Sequence, residues 1–432
     1  MKLKLMLKNY YRWFVWGVLC FAYIINIFHR MSMSVIRADL GNTFDLSAMT
    51  FAALGSVYFY VYMVMQIPTG MLVDSLGVRA TAAVGTALAG GGAVLFGLSP
   101  TVFMIFTARF LTSLGISVVF VSILKIQSSW FHEREFGRLS GLTGLIGNVG
   151  ALTAQTPLVA LVSLLTWRYS FVAVGVAGMI VAGLCFLVIR NKPSDIGLPS
   201  PTGYRIEENK AEKQSVIRIL GKVCKNPYTW PACISYAGIY GSIIAFTGTW
   251  GQSYFMKVYG MSGMKAANYN VIAILGAAIA SISIGRISDK VQKRKAPMII
   301  LGTAYVLSWA VLVLVYGGKP PDSVLGLLIF IMGLSSASIV LSWACGKEVN
   351  NPQYAGISTA FVNSIGLSGA IIVPLIFGWI LDRYANMMGS QQLYSKAFLC
   401  CLASTLIGYA ALFFIKETNC RNISSDLNTG MK

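Results

Sequence analysis

Gly70-Met-Leu-Val-Asp74-Ser-Leu-Gly77-Val-Arg79 is a short polar turn between two apolar runs. A partial copy, Gly285-Arg286-Ile-Ser-Asp289-Lys290 followed by Lys293, Arg294 and Lys295, stands about half a chain length later. A glycine, an aspartate four residues on and a basic cluster, repeated at that separation, point to a duplicated unit. The flanking runs say what the unit is made of, because several reach about 20 uninterrupted apolar residues, enough to cross a bilayer as helix. Windows of about 19 residues place twelve spans at 13–36, 49–72, 80–99, 102–124, 139–163, 169–189, 230–255, 266–288, 297–317, 323–345, 354–381 and 394–415. A second echo supports the duplication. Span five carries Gly137, Gly141, Gly144, Gly147 and Gly150 before Pro157, and span eleven carries Gly356, Gly366 and Gly369 before Pro374. Small residues at such spacing let helices approach closely, and the prolines invite bends.

The predicted fold is therefore an all-α polytopic membrane protein of twelve transmembrane helices in two pseudo-symmetric six-helix halves. Residues 1–190 and 230–416 form the two bundles, 191–229 a central cytoplasmic loop and 417–432 a cytoplasmic tail. Of the 432 residues 56% are hydrophobic and 11% charged, which excludes a water-soluble reading. A net charge of +19 would suggest nucleic acid in a soluble protein. Here Lys and Arg gather in alternate loops, the positive-inside asymmetry, so the charge reports topology, with both termini cytoplasmic and no nucleic-acid partner. The apolar run after basic residues 1–12 is too long for a signal peptide and lacks a cleavage site. The central loop holds Pro193, Pro199, Pro201, a charged run from Arg205 to Lys225 and a short amphipathic stretch (Val216, Ile217, Leu220, Val223) suited to a membrane surface. The tail after Lys416 reads as disordered. The eight cysteines have neither disulfide nor metal-ligand spacing.

In the first span Arg30 keeps its charge at any relevant pH. Such a residue costs roughly 2.5 to 3.5 kcal/mol at a helix centre and usually faces protein or a water-filled cavity, so it calls for an anion unless it snorkels to the headgroups. Tyr23, Asn26 and Arg30 share one helix face.

At these residues the chain resembles the major facilitator superfamily, over essentially its whole membrane portion. Gly70, Leu72, Asp74, Gly77 and Arg79 match the signature G-x-L-x-D-x-x-G-x-[RK], and Arg109 with Gly115 resembles a second, R-x-x-x-x-x-G. The resemblance implies that Gly70, Asp74, Gly77, Arg79, Gly285 and Asp289 belong to a conformational switch, with Asp74 pairing with basic residues. It implies that Arg109 supports switching more than it contacts solute. Ser75 replaces the usual basic residue, which weakens the latch. More narrowly, His29-Arg30-Met-Ser-Met-Ser34 and Trp130-Phe131-His132-Glu133-Arg134 are similar to the anion:cation symporter and organophosphate antiporter branches. His29 stands where proton-coupled members often have aspartate. The second arginine of phosphate-ester antiporters, in span seven, is missing, which disfavours a phosphate ester. Some amino-acid carriers are broadly similar, so a zwitterion stays open.

In this architecture solute binds near the midplane between the halves. Residues stacked on single helix faces are the candidate lining: Tyr58, Tyr62 and Gln66; Asn148 and Gln155; Tyr236, Tyr240, Thr247, Trp250 and Tyr254; Ser335, Ser338 and Ser342; and Asn363. Hydroxyls and amides there orient a small polar solute; singly, each reads equally well as interfacial or packing. No carboxylate lies well inside a span, which leaves His29 as the proton-coupling candidate; sodium coupling stays open. Lys125 reads as interfacial. The leading expectation is a monomeric secondary transporter in a cell membrane, a bacterial inner membrane above all. It imports a small organic anion or zwitterion (carboxylate, sugar acid or amino acid) with protons. The alternatives are an exporter of drugs or siderophores, marked by resistance on expression, and a non-transporting solute sensor, marked by binding without flux. No nucleophile-base pair, metal cluster, phosphate loop or cofactor motif indicates an enzyme.

Overall fold

The structure is a computed structural model that describes residues 2–198 and 216–425. Pro199, Pro201 and the start of the charged run at Arg205 lie outside the described residues. The helices are α1 (Lys2–Met31), α2 (Arg37–Phe44), α3 (Ala48–Leu98), α4 (Val102–Ile116), α5 (Val119–Trp130), α6 (Glu133–Thr153), α7 (Thr156–Val188) and α8 (Val216–Lys225). They continue as α9 (Trp230–Ile243), α10 (Gly251–Tyr259), α11 (Gly263–Val291), α12 (Lys295–Ala310), α13 (Asp322–Ser336), α14 (Ile339–Glu348), α15 (Ala355–Tyr384) and α16 (Ser390–Phe414).

Among the described residues, 11 helical stretches are long and apolar enough to cross a membrane. One of them, Arg138–Val188, has 51 residues. At about 1.5 Å per residue it is more than twice the thickness of a hydrocarbon core, so it accounts for spans five and six of the twelve. Pro157, expected to bend span five, falls in the first turn of α7, where its missing N–H costs nothing. The helix breaks just before it, between Thr153 and Thr156. A second break at Thr166 (φ 67°) separates the two spans. There Arg168 donates to the carbonyls of Gly97 (3.1 Å) and Ser99 (2.6 Å), capping the end of α3. Large apolar side chains such as Phe103, Leu164, Ile300 and Phe414 point outward, as acyl chains require.

The chain divides into two compact units, Met1–Ser32 with Tyr60–Ala211, and Met33–Phe59 with Glu212–Lys432. Segment 33–59, which the sequence assigns to the first half, groups with the second unit. In the first unit α1 packs on α5, α6 and α7, around a core that includes Leu19, Val78, Ile123, Trp130 and Cys185. In the second, α9 lies against α15 and α16, and α11 against α13. A π-helical turn, Ile244–Trp250, joins α9 to α10; its extra residue per turn re-aims the side chains that follow.

Gly77 sits at φ 79°, ψ 163° inside α3, and a Cβ there would collide with the Asn191 side chain. Asn191 in turn accepts the Arg79 N–H at 2.9 Å. Gly77→Ala is expected to cost about 1–3 kcal/mol, from backbone strain and loss of this contact. A lowered midpoint of thermal unfolding in detergent would show it, and an unchanged midpoint would contradict the geometry.

One expectation needs correction. The stretch after Lys416 was expected to be disordered, yet residues 417–425 are folded back: Thr418 is fully buried, and the Ile423 N–H donates to the Glu348 carbonyl at 2.9 Å. Local polarity missed this because the partners lie far back in the chain. The amphipathic stretch forms α8, which docks on α15, with Val223 fully buried and Lys222 Nζ 3.0 Å from the Tyr354 hydroxyl.

Candidate functional site

In the first unit the face of α1 brings Tyr23, Asn26, His29 and Arg30 into different roles. Arg30 is half-buried. Tyr23 packs on Phe120, with ring centroids 5.6 Å apart. Asn26 is buried and donates to the Ile116 carbonyl at 2.8 Å, tying α1 to the end of α4. His29 is buried between Phe28 and Phe171 (centroids at 5.5 and 6.3 Å). Its backbone carbonyl accepts Nη1 of the buried Arg109 at 2.7 Å. Arg109 thus bridges α4 and α1. Tyr62, Gln66 and Asn148 are half-buried, and Gln155 is fully buried in the break before α7.

The residues expected to form a switch fall into two separate clusters. In the first unit Lys125 Nζ meets Asp74 at 2.7 Å, with both side chains largely exposed. Such a pair contributes little to stability. Gly70 is half-buried, and Arg79 donates from Nε to the Phe186 carbonyl at 2.7 Å.

In the second unit, near half-buried Gly285, Asp289 takes Nη1 of Arg294 at 2.7 Å. The other side of that guanidinium meets Glu348, 2.8 Å from Nη2 to Oε1, with both side chains nearly buried. Burial works against the Arg294 charge, but Glu348 and Asp289 more than offset it and hold the guanidinium firmly protonated. Glu348, at the end of span ten, and Glu417 were not picked out from the sequence. Burial pushes the Glu417 carboxyl up, yet the backbone N–H groups of Arg294, Asn419, Lys295 and Thr418 outweigh it and hold it below the usual range. A depressed carboxyl adds stability above its ordinary pKa and loses it as pH falls through the lowered value. The melting temperature of wild type should therefore exceed that of Glu417→Gln at pH 7. The gap should close below about pH 4, the ordinary glutamate range; a gap independent of pH would refute this.

The predicted lining of the second unit is partly spent on packing. Thr247 and Ser335 bond back to their own helices, Tyr254 donates to the Gly318 carbonyl at 2.9 Å, and Trp250 donates to the Pro374 carbonyl at 3.2 Å while stacking on Phe377. Tyr58 is buried against Phe59, whose ring meets Tyr240 edge-on at 6.3 Å. Tyr236 donates to Asn363 Oδ1 at 3.1 Å and lies beside Tyr240 and Trp343. That approach requires Gly366, where a Cβ would enter the Tyr236 ring. Elsewhere in the second unit Ser235, Ser338, Ser342, Trp343 Nε1 and Ser358 have buried polar atoms with no hydrogen-bond partner among the described residues. Unspent polar groups are costly in an apolar interior.

A sequence model of the Major Facilitator Superfamily matches residues 19–374. The chain belongs to the Major Facilitator Superfamily. It is a multi-pass membrane transporter rather than an enzyme. Among its relatives are an uncharacterized transporter, YybO, of Bacillus subtilis (24% identical over 390 residues, 86% of this chain and 88% of that protein) and the hexuronate transporter of the same organism (24% over 409 residues, 91% of each). A third is the D-galactonate transporter of Escherichia coli O6:H1 (22% over 398 residues, 86% and 88%). The fold matches a bacterial homolog of the human lysosomal transporter Spinster in an inward-facing, occupied conformation, with TM-score 0.72, 17% identity, and 94% and 96% of the two chains covered. It also matches the nucleoside transporter NupG, with TM-score 0.71, 14% identity, and 93% and 99% covered.

Proposed function

We propose that this superfamily member imports a small hydroxylated organic acid of the sugar-acid class, driven by protons, with both termini in the cytoplasm of a bacterial cell and the two six-helix halves alternating access. The observation that carries this reading is the permanent cation Arg30 in a membrane-spanning helix, where a carboxylate is the natural complement. The relatives named as hexuronate and D-galactonate transporters support the solute class. So do the unspent hydroxyl and indole groups of the second unit, which match a solute carrying several hydroxyls. Tyr236, Tyr240, Asn363 and Ser338 are its proposed hydroxyl readers, and Asp74, Lys125, Arg109 and Asp289 its proposed switch.

Uptake of D-glucuronate, D-galactonate and an amino-acid panel into proteoliposomes, with and without an imposed pH gradient, tests the reading. Accumulation of a sugar acid above its outside concentration, only when the outside is acidic, is the expected result. Accumulation of amino acids alone, or uptake indifferent to the gradient, would remove the solute class or the coupling respectively. His29 is the proposed coupling residue, and a His29→Gln variant that still concentrates solute would exclude it.

A further inference from the structure

The polar segment following α1 contains a basic residue that the sequence does not single out. Arg37, first residue of α2, turns its guanidinium onto Trp250, with Cζ 4.6 Å from the ring centroid, and onto Phe51 at 5.7 Å. Nη1 donates to Ser253 Oγ at 3.0 Å, and that oxygen lies 2.7 Å from the Tyr394 hydroxyl. The fork is thereby fixed on three sides. Its Nε is buried without a hydrogen-bond partner among the described residues.

The guanidinium lines a cavity of about 310 Å³, the small end of the range for small-molecule sites. A second cation, Lys257 of α10, lines the same cavity, as do Asn42, Gln252 and Met256. Neither cation is ion-paired with a described carboxylate. Both oxygens of Asp382 are engaged elsewhere, accepting the N–H groups of Ala48 and Met49 at 2.7 Å each. Gln252 donates to the Gly263 carbonyl at 2.8 Å, while its Oε1 is buried and unbonded among the described residues. Two cations without an ion pair to a described carboxylate, Arg37 held rigid over an aromatic face and Lys257 more exposed, leave the cavity with an excess of positive charge that the nearby Asp382 offsets only in part. Like charges gathered in a small, partly buried space stabilise each other only through an anion.

We infer that this cavity is a second carboxylate site, distinct from Arg30, in which Arg37 and Lys257 hold the carboxylate of a small hydroxy acid and Gln252 Oε1 accepts from one of its hydroxyls. It lies where the first and seventh spans end, outside the stretch that carries Arg30. With the N-terminus in the cytoplasm this end of the spans faces outward, so the site meets solute before translocation. The choice of hydroxy acid rests on the function proposed above; the anion site itself rests on the cavity's own charges.

The test uses the full chain in nanodiscs of zwitterionic lipid, read by thermal shift with D-glucuronate and, separately, inorganic phosphate. In an Arg30→Gln background D-glucuronate is expected still to raise the melting temperature. Adding Arg37→Gln or Lys257→Gln is expected to weaken that response at least tenfold in concentration. Lys257 makes none of the aromatic contacts of Arg37, so its variant reports on binding even where Arg37→Gln is poorly folded. A response that survives both substitutions, or no response in the Arg30→Gln background, overturns the site. A response to phosphate alone overturns the carboxylate assignment and points to phosphate groups, free or on lipid. If Arg30→Gln retains full uptake while the response depends on Arg37 and Lys257, the second site stands and the role given to Arg30 falls.

Discussion

Arg30→Ala is expected to reduce sugar-acid uptake by two to three orders of magnitude in proteoliposomes, with the protein still inserted and folded. Removing one partner of a hydrogen-bonded charge pair costs roughly 2–5 kcal/mol, much of it from leaving the other charge desolvated and unmatched, and each 1.4 kcal/mol is about tenfold. The carboxylate of the solute would be that stranded charge. Arg30→Lys separates charge from shape: a lysine restores the positive charge but not the planar fork, so intermediate uptake with a raised KM is expected. Normal uptake by Arg30→Ala would exclude the residue from carboxylate recognition. Equal loss in both variants, with lowered melting temperature, would make Arg30 a structural residue.

The second large effect concerns stability. Glu348→Ala is expected to destabilise the protein by about 3–5 kcal/mol, because it leaves the nearly buried Arg294 guanidinium without its main counter-charge. Asp289 is too exposed to take over, and Thr418, whose hydroxyl donates to Glu348 at 2.5 Å, loses its acceptor as well. The double variant Glu348→Ala with Arg294→Met should recover part of the loss, since no unpaired charge is then buried. Unfolding midpoints in detergent decide this. A double variant no more stable than the single would mean that the network acts through packing rather than charge.

What the sequence could and could not disclose follows from the range of the forces involved. Bilayer crossing depends on some 20 consecutive residues, and so the spans were readable; Gly70–Arg79 and its copy at Gly285–Asp289 read as loops, but they lie within α3, which turns only at Gly77, and within α11. Pro157 announced a disturbance, but whether it would bend or break the helix depended on the neighbouring Gln155 backbone. Roles set by distant partners were hidden. Arg37 follows the first span without a motif to mark it, and its contacts are with Trp250 and Ser253, more than two hundred residues on. Glu348 passed for a span end because Arg294 is 54 residues away. Asn26 shares a face with Arg30, yet its amide goes to Ile116 of a neighbouring helix. Periodicity shows which residues share a face, and not which of them are already engaged.

The segment 417–425 has a consequence for how the protein is made. Glu417 binds the first N–H groups of α12, Thr418 binds Glu348, and Ile423 binds the end of α14. During synthesis Arg294 and Glu348 leave the ribosome long before these partners exist, so the second unit waits, with a part-satisfied charge cluster, for the segment that follows its last helix. A chain halted before residue 417 would leave the first N–H groups of α12 without their carboxylate acceptor.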